Sequence, residues 1–332
     1  MPSMSSAPQN VGVVRTDAPS PPSLRVAVLI PCYNEEVAIP AVIQGFQTAL
    51  PNATLYVYDN NSKDRTVEVA RAAGVIVRRE TLQGKGNVIR RMFADIEADI
   101  YVLVDGDATY HAPSAPEMVR ILVDEQLDMV NGTRVSEIEA AYRPGHRFGN
   151  LLLTGIVRTI FGNRITDMLS GYRVFSRRFV KSFPALSSGF ETETEFTVHA
   201  LELSMPIGEL STPYRDRPVG SASKLNTFSD GFRILGTIVR LVKEERPLQF
   251  FSTSGIMLLI IALAIGVPII AEFVQTGLVL RLPTAILATG LVLLGFLSFT
   301  CGLILDSVAR GRTEVKRLAY LSVPLFSRGE AP

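Results

Sequence analysis

Ile100-Tyr101-Val102-Leu103-Val104-Asp105-Gly106-Asp107 is the stretch on which the reading of this chain turns. Apolar and aromatic residues run together and stop at a turn signal, which predicts a strand buried on both faces and a sharp turn through Gly106. Two carboxylates then sit at the carboxyl end of a strand, the edge of an open α/β sheet where ligands bind. Asp105 and Asp107 flank a glycine that lets backbone approach a ligand, and two such anions repel unless a positive charge lies between them. A hard divalent cation, Mg²⁺ or Mn²⁺, held against a diphosphate meets that need. An Asp-Gly turn with solvated acids is the alternative that this stretch alone leaves open.

Upstream, residues 24–30 form a Val/Ile/Leu-rich run ending at Pro31, and Asn34-Glu35-Glu36 opens an amphipathic helix reaching about residue 50. Residues 54–58 predict a second strand, followed by Asp59-Asn60-Asn61-Ser62-Lys63-Asp64-Arg65-Thr66, with Asp64 as N-cap of a helix through residue 73. Residues 75–77 give a third strand, and Gly84-Lys85-Gly86-Asn87 opens the helix that precedes the 100–104 strand. Strands alternating with helices at this spacing indicate a mostly parallel, helix-covered sheet. Polar clusters follow the strands after Ile30, Tyr58 and Val104, so three loops converge on one crevice. Lys85 between two glycines suits a phosphate-binding loop or a plain loop equally, because its surroundings match no P-loop.

Downstream, residues 114–125 read as a helix, and Met129-Val130-Asn131 leads into Gly132-Thr133-Arg134. Residues 138–147, broken by Pro144-Gly145, read as a mobile loop, and residues 148–161 return to helical periodicity. Asp167-Met168-Leu169-Ser170-Gly171-Tyr172-Arg173 passes from loop to strand. Glu191-Thr192-Glu193-Thr194-Glu195 then starts a helix. Acids in a first helical turn complement the macrodipole, so Glu191 and Glu193 are either helix-start residues or a base or acceptor contact.

The chain has 332 residues, room for roughly two domains. A formal net charge of +1 gives no global field for nucleic acid. Cys32 and Cys301 make no disulfide framework, which fits a reducing compartment. Residues 1–23 are rich in Ser and Pro without the apolar centre of a signal peptide and read as a disordered tail. The apolar fraction of 47% is concentrated near the C-terminus, where residues 250–270 and 282–305 carry no charge. Each run reaches the ~20 residues a helix needs to cross the hydrocarbon layer. Only residues 271–281 separate them, so they form a hairpin. Arg240, Lys243 and Arg246 flank one outer end and Arg310, Arg312, Lys316 and Arg317 the other, which puts the N-terminal domain and the C-terminal tail in the cytoplasm, at the plasma membrane in a bacterium. Phe228, Phe232, Leu235, Val239 and Val242 recur at helical spacing with basic residues interleaved, as in an interfacial helix.

Taken in order, Pro31-Cys32-Tyr33-Asn34-Glu35-Glu36, the 59–66 cluster, Gly84-Lys85-Gly86, Asp105-Gly106-Asp107, Gly132-Thr133-Arg134, Ser170-Gly171-Tyr172-Arg173 and Arg217 with Gly220, Ser223, Lys224 and Leu225 resemble the motifs of family 2 glycosyltransferases. More narrowly, they resemble polyprenyl-phosphate glycosyltransferases such as dolichol-phosphate mannosyltransferases, over residues 26–225 and in the membrane hairpin. The resemblance implies an α/β GT-A (Rossmann-like) nucleotide-sugar domain over 24–227, an amphipathic juxtamembrane helix over 228–248, two transmembrane helices within 249–307 and a basic cytoplasmic tail over 308–332. It implies that Pro31, Tyr33 and Glu35 line the nucleotide pocket and that Asp59 and Asn60 face base and ribose, with Lys85 and Gly106 beside the donor. Asp105 and Asp107 correspond to the metal-and-ribose motif, Asp107 binding Mg²⁺ or Mn²⁺. The family usually has two acids where this chain has Asp59-Asn60, and often a Gln where it has Ala108-Thr109-Tyr110. Arg134, Arg217 and Lys224 match basic positions that bind acceptor or donor phosphate.

The implied reaction is an inverting transfer of a hexose from a UDP- or GDP-sugar to a polyprenyl phosphate, with the bilayer as partner and a homo-oligomer compatible with it. A processive polysaccharide synthase would carry a Gln-x-x-Arg-Trp motif, and this chain has no Trp. Transfer to a lipid or protein hydroxyl, with a base from the 191–195 cluster, is the alternative. A non-enzymatic membrane scaffold would leave these acids as surface charge.

Overall fold

Apolar runs alternating with helix starts leave the chain one economical solution, a sheet with helices on both faces. The computed structural model describes residues 24–135, 166–187, 189, 191–218, 236, 243–244 and 246–325. Its strands are β1 (Val26–Cys32), β2 (Thr54–Asp59), β3 (Ile76–Arg79), β4 (Ile100–Leu103), β5 (Met129–Val135), β6 (Arg173–Ser176) and β7 (Ile207–Pro213), arranged β3-β2-β1-β4-β6-β5-β7. The covering helices are α1 (Ile39–Ala49), α2 (Thr66–Ala72), α3 (Lys85–Asp95), α4 (Ala115–Asp124), α5 (Arg177–Ser182) and α6 (Thr192–Glu202).

Strands β1 to β4 are parallel. Strand β6 runs against both β4 and β5, and β7 is parallel to β5. The mostly parallel sheet expected from the sequence is present with one reversed strand, because nothing in the short run Arg173–Ser176 encodes its direction. The register matters for the site. Arg173 pairs with both Leu103 and Asn131, so β6 begins where β4 ends, while β5 runs on past it to Val135.

Strand β4 is buried on both faces, as the opening stretch predicts. Tyr101 and Leu103 join Phe93, Phe175, Phe179 and Phe196 under α3, α5 and α6. Ile100 and Val102 join Phe46, Met118 and Leu122 under α1 and α4. Each such side chain contributes about 1.5–3 kcal/mol when fully buried, which fixes the sheet edge that carries the polar turns.

Two further helices follow, α7 (Pro247–Thr276) and α8 (Leu282–Ser322), both long and apolar enough to cross a membrane by length and composition. They approach closely at small residues. A Cβ on Gly255 would meet the Gly295 carbonyl at 2.9 Å, and Ser298 Oγ donates to the Phe251 carbonyl at 2.9 Å. Helix α8 does not stop where its apolar run ends. What composition gives as a basic tail is, through Ser322, the same helix. The expected tail 1–23, the loop 138–147 and the helix 148–161 lie outside the described residues, as does nearly all of the amphipathic segment 228–248.

Candidate active site

The β4 turn sits at the edge where β1, β2, β4, β5 and β7 all end. Gly106 is required there by space, since a Cβ would meet Cys32 Sγ at 2.6 Å. Ala108 takes a left-handed φ of 60°, an arrangement that costs a non-glycine residue roughly 1 kcal/mol and marks a turn held by its surroundings. Asp107 is 4% exposed, and its Oδ1 accepts from Thr109 Oγ1 at 2.7 Å and from the Thr109 amide at 3.2 Å.

A second segment is laid along this turn. The Arg215 amide donates to the Thr109 carbonyl at 2.9 Å, and Tyr110 and Tyr214 form an antiparallel bridge. The chain leaving β7 therefore delivers Arg217, whose guanidinium lies 2.7 Å from Asp107 Oδ2 and 3.9 Å from Glu35 Oε1.

Asp105 is held by a different cation. Lys85, at the first turn of α3, places Nζ 2.5 Å from Asp105 Oδ1 and 2.5 Å from Glu193 Oε1, in the first turn of α6. Burial works to lower the Lys85 ammonium, but the two carboxylates outweigh it and hold it above its ordinary value. Asp105 keeps 27% of its side-chain surface open yet lies deep among protein atoms. That enclosure pushes its carboxyl up to about 6, with Lys85 pulling it down and Asp107 and Glu193 pushing it further up. Glu193 Oε2 is buried without a hydrogen-bond partner among the described residues. Gly171 completes the wall, since a Cβ there would meet Asp105 Oδ2 at 2.5 Å, and its amide donates to Tyr110 Oη at 2.8 Å.

The remaining sequence candidates fall into two groups. Pro31 and Asp59 lie at the ends of β1 and β2, and Tyr33, Glu35 and Asn60 follow them at this same edge. Asp59 accepts the Ser62 amide at 3.1 Å. Asn60 is spent on structure: its Nδ2 donates to the Glu80 and Leu82 carbonyls at 3.0 and 2.8 Å, and its Oδ1 accepts the Gly84 amide at 2.7 Å. An Asp could not donate to those carbonyls, which gives a physical reason for Asn here. It braces the loop that brings in Lys85.

Arg134 is the second-last residue of β5. Its guanidinium forms a two-pronged pair with Asp167, at 2.8 Å for each prong. Burial works to raise the Asp167 carboxyl, but this fork outweighs it and holds it below the usual carboxylate range. Glu195 accepts the Leu186 and Ser187 amides at 2.8 and 2.9 Å. Glu191 is the residue before α6, and Lys224 lies outside the described residues.

Sequence reasoning missed the role of Arg173. It is fully buried and donates to the Met168 and Ser170 carbonyls at 2.7 and 3.1 Å and to Thr197 Oγ1 at 2.9 Å. It thereby ties the Gly171 loop to the helix that carries Glu193. A charged residue at the start of a strand buried on both faces was the available signal.

Two carboxylates at one turn suit a hard cation that keeps water and substrate phosphate oxygens as its other ligands. Among the described residues no group of three His, Cys, Asp or Glu stands ready to cage a metal. Asp107 already holds a cationic group, Arg217, against Oδ2. The donor set fits Mg²⁺ or Mn²⁺.

A family model described as glycosyl transferase family 2 matches residues 27–183. Glycosyltransferase AglJ of Haloferax volcanii is 30% identical over 303 residues, covering 89% of this chain and 98% of AglJ. The dolichyl-phosphate hexose transferase of the same organism is 26% identical over 221 residues, covering 67% of this chain and 95% of that protein. The chain's fold is similar to that of glucosyl-3-phosphoglycerate synthase from Mycobacterium tuberculosis, crystallised with Mn²⁺ and UDP-glucose, with a TM-score of 0.53 at 23% identity over 67% of this chain and 79% of that one.

Proposed function

The chain belongs to glycosyl transferase family 2, and from that premise we propose that it transfers a hexose, with inversion, from a UDP- or GDP-sugar to a polyprenyl phosphate at the cytoplasmic face of a membrane. The observation that carries this reading is the pairing of Asp107 with Arg217 at the sheet edge, in a chain that continues into two helices able to span a bilayer. The relative named dolichyl-phosphate hexose transferase supports the acceptor class. The Mn²⁺ and UDP-glucose in the structural neighbour support a divalent cation and a nucleotide sugar.

A sugar leaving a nucleoside diphosphate deposits negative charge on the leaving group, and a divalent cation held by Asp107, with Asp105 beside it, would neutralise that charge. Arg217 brings a planar guanidinium to the same point, suited to two-pronged contact with a phosphate. Lys85, fixed between Asp105 and Glu193, keeps the floor of the crevice from being wholly anionic, so that an anionic donor can approach. Pro31, Tyr33, Glu35 and Asp59 line the side of the crevice assigned to the nucleotide. The acceptor phosphate, with a second pKa near 6, is already nucleophilic at neutral pH and needs no strong base. It needs cations to bring two anions together, the part assigned to Arg134, Arg217 and Lys224. Attack from the face opposite the leaving diphosphate inverts the anomeric carbon.

A second reading has one observation in its favour, the buried Glu193 Oε2, which has no hydrogen-bond partner among the described residues. As a carboxylate it could take a proton from an acceptor hydroxyl. Purified full-length protein in nanodiscs, supplied with Mn²⁺ and a panel of UDP- and GDP-sugars, separates the two. Sugar transfer to polyprenyl phosphate, and none to diacylglycerol or ceramide, is expected. Transfer to the hydroxyl lipids alone would favour Glu193 as base, and transfer to neither class would defeat both readings.

A further inference from the structure

The far end of α8 meets the catalytic domain at the sheet edge opposite the candidate site. Lys316 Nζ lies 2.6 Å from Glu202 Oε2, and Thr313 Oγ1 donates to Glu202 Oε1 at 2.6 Å. Tyr320 Oη donates to Asp128 Oδ2 at 2.8 Å, and Arg178 lies over the Tyr320 ring with its Cζ 4.9 Å from the centroid. Residues 313, 316 and 320 share one helix face, following the three- and four-residue spacing of an α-helix. Their partners are well enclosed, Asp128 at 0% and the Glu202 side chain at 7% exposure. Tyr320 also packs against the core cluster under α3, α5 and α6.

Helix α8 is unbroken from Leu282 to Ser322, and its charge-free run ends at Leu305. At 1.5 Å per residue, Tyr320 stands roughly 22 Å along the axis from that point. One rigid element thus joins the apolar hairpin to a buried carboxylate of the catalytic domain. Helix α6, which meets α8 at Glu202, carries Glu193 at its other end.

We propose that the docked half of α8 is a strut that sets the height and tilt of the catalytic domain over the bilayer, with Thr313, Lys316 and Tyr320 as positioning residues for an acceptor whose phosphate is held at the membrane. The inference rests on the lipid-phosphate reading above only for its kinetic consequence. The geometric consequence stands without it.

The kinetic test compares a long-chain polyprenyl phosphate in nanodiscs with a short, water-soluble prenyl phosphate. Lys316→Glu/Tyr320→Ala should raise KM for the embedded acceptor about tenfold while leaving KM for the nucleotide sugar, and turnover of the soluble acceptor, within about twofold. Adding Glu202→Lys to Lys316→Glu should restore the single charge-reversal variant by re-forming the pair, which separates lost docking from misfolding. Equal losses on both acceptors, or no loss on either, would overturn the proposal.

The geometric test places a fluorophore at Glu125→Cys in a Cys301→Ser background and reads energy transfer to a dye in the lipid headgroups. Wild-type α8 should give one narrow transfer efficiency, and Lys316→Glu/Tyr320→Ala a shifted, broadened one. An unchanged distribution would overturn the strut whichever acceptor the protein uses, and a shift in a protein that transfers to no polyprenyl phosphate would uphold the strut while the functional reading fails.

Discussion

Two buried carboxylate clusters occupy opposite edges of the same sheet and are finished differently. At one edge Asp128 is fully enclosed, with Ser176 Oγ and Arg178 Nε donating to one oxygen at 2.7 and 2.5 Å, and Arg178 and Tyr320 donating to the other at 2.9 and 2.8 Å. At the other edge Asp105 and Glu193 share a single ammonium, Glu193 Oε2 lacks a hydrogen-bond partner among the described residues, and Asp107 rests on an arginine that keeps 27% of its side-chain surface open. Native interiors rarely leave buried polar atoms unmatched, so each exception calls for an explanation. The two edges differ in how fully their acids are satisfied, as the proposed division between a fold-holding acid and substrate-facing acids requires.

Substitutions at the two edges should therefore fail in opposite ways. Asp107→Ala should lower turnover about 10³-fold, equivalent to about 4 kcal/mol of transition-state stabilisation, with the thermal midpoint nearly unchanged; steady-state transfer and a melting curve on the same preparation check both halves. Asp128→Ala should do the converse. It removes the acid from a buried pair and should cost about 3 kcal/mol of stability, measured by denaturant unfolding of the detergent-solubilised protein, while transfer to a soluble prenyl phosphate by the folded fraction persists.

Glu193→Gln tests the unfinished edge more finely. If the acceptor is a phosphate, turnover should fall by about tenfold or less, equivalent to about 1.4 kcal/mol, because no base is lost; a loss on the order of 10²–10⁴ would assign Glu193 the proton. The smallest effect concerns His199, buried in α6, whose imidazole is pulled down to about 3 by burial with Lys316 adding to it. The unfolded chain takes up this proton below about pH 6.5 and the folded chain does not, so stability is intact above that pH and falls as pH drops toward the folded value. The loss between pH 6.5 and 5.5 should be about 1 kcal/mol, and it should vanish in His199→Gln when melting curves are compared across that window.

Much of this was legible in the sequence where a pattern is local. The run at 100–104 announces a strand buried on both faces, and the acids after it fall at the binding edge because parallel α/β sheets put their loops there. Pairings between distant residues were not legible. Lys85 and Glu193 are 108 residues apart, and nothing near either names the other. Asn60 departs from the family's second acid, and only the Glu80 and Leu82 carbonyls explain why an amide is needed. The reversed direction of β6 and the docking of α8 are set by tertiary packing, and Thr313, Lys316 and Tyr320 show no apolar stripe that would mark a buried face.

The proposed transfer depends on Asp107 holding a divalent cation against the donor's diphosphate. Titration of Mn²⁺ into the purified protein, followed by electron paramagnetic resonance with and without UDP- or GDP-sugar, tests this directly. Mn²⁺ should bind tightly only when the nucleotide sugar is present, and Asp107→Asn should weaken that binding by at least about tenfold, or 1.4 kcal/mol. Equal Mn²⁺ affinity in Asp107→Asn and wild type, or full transfer by the wild type in excess chelator, would contradict it.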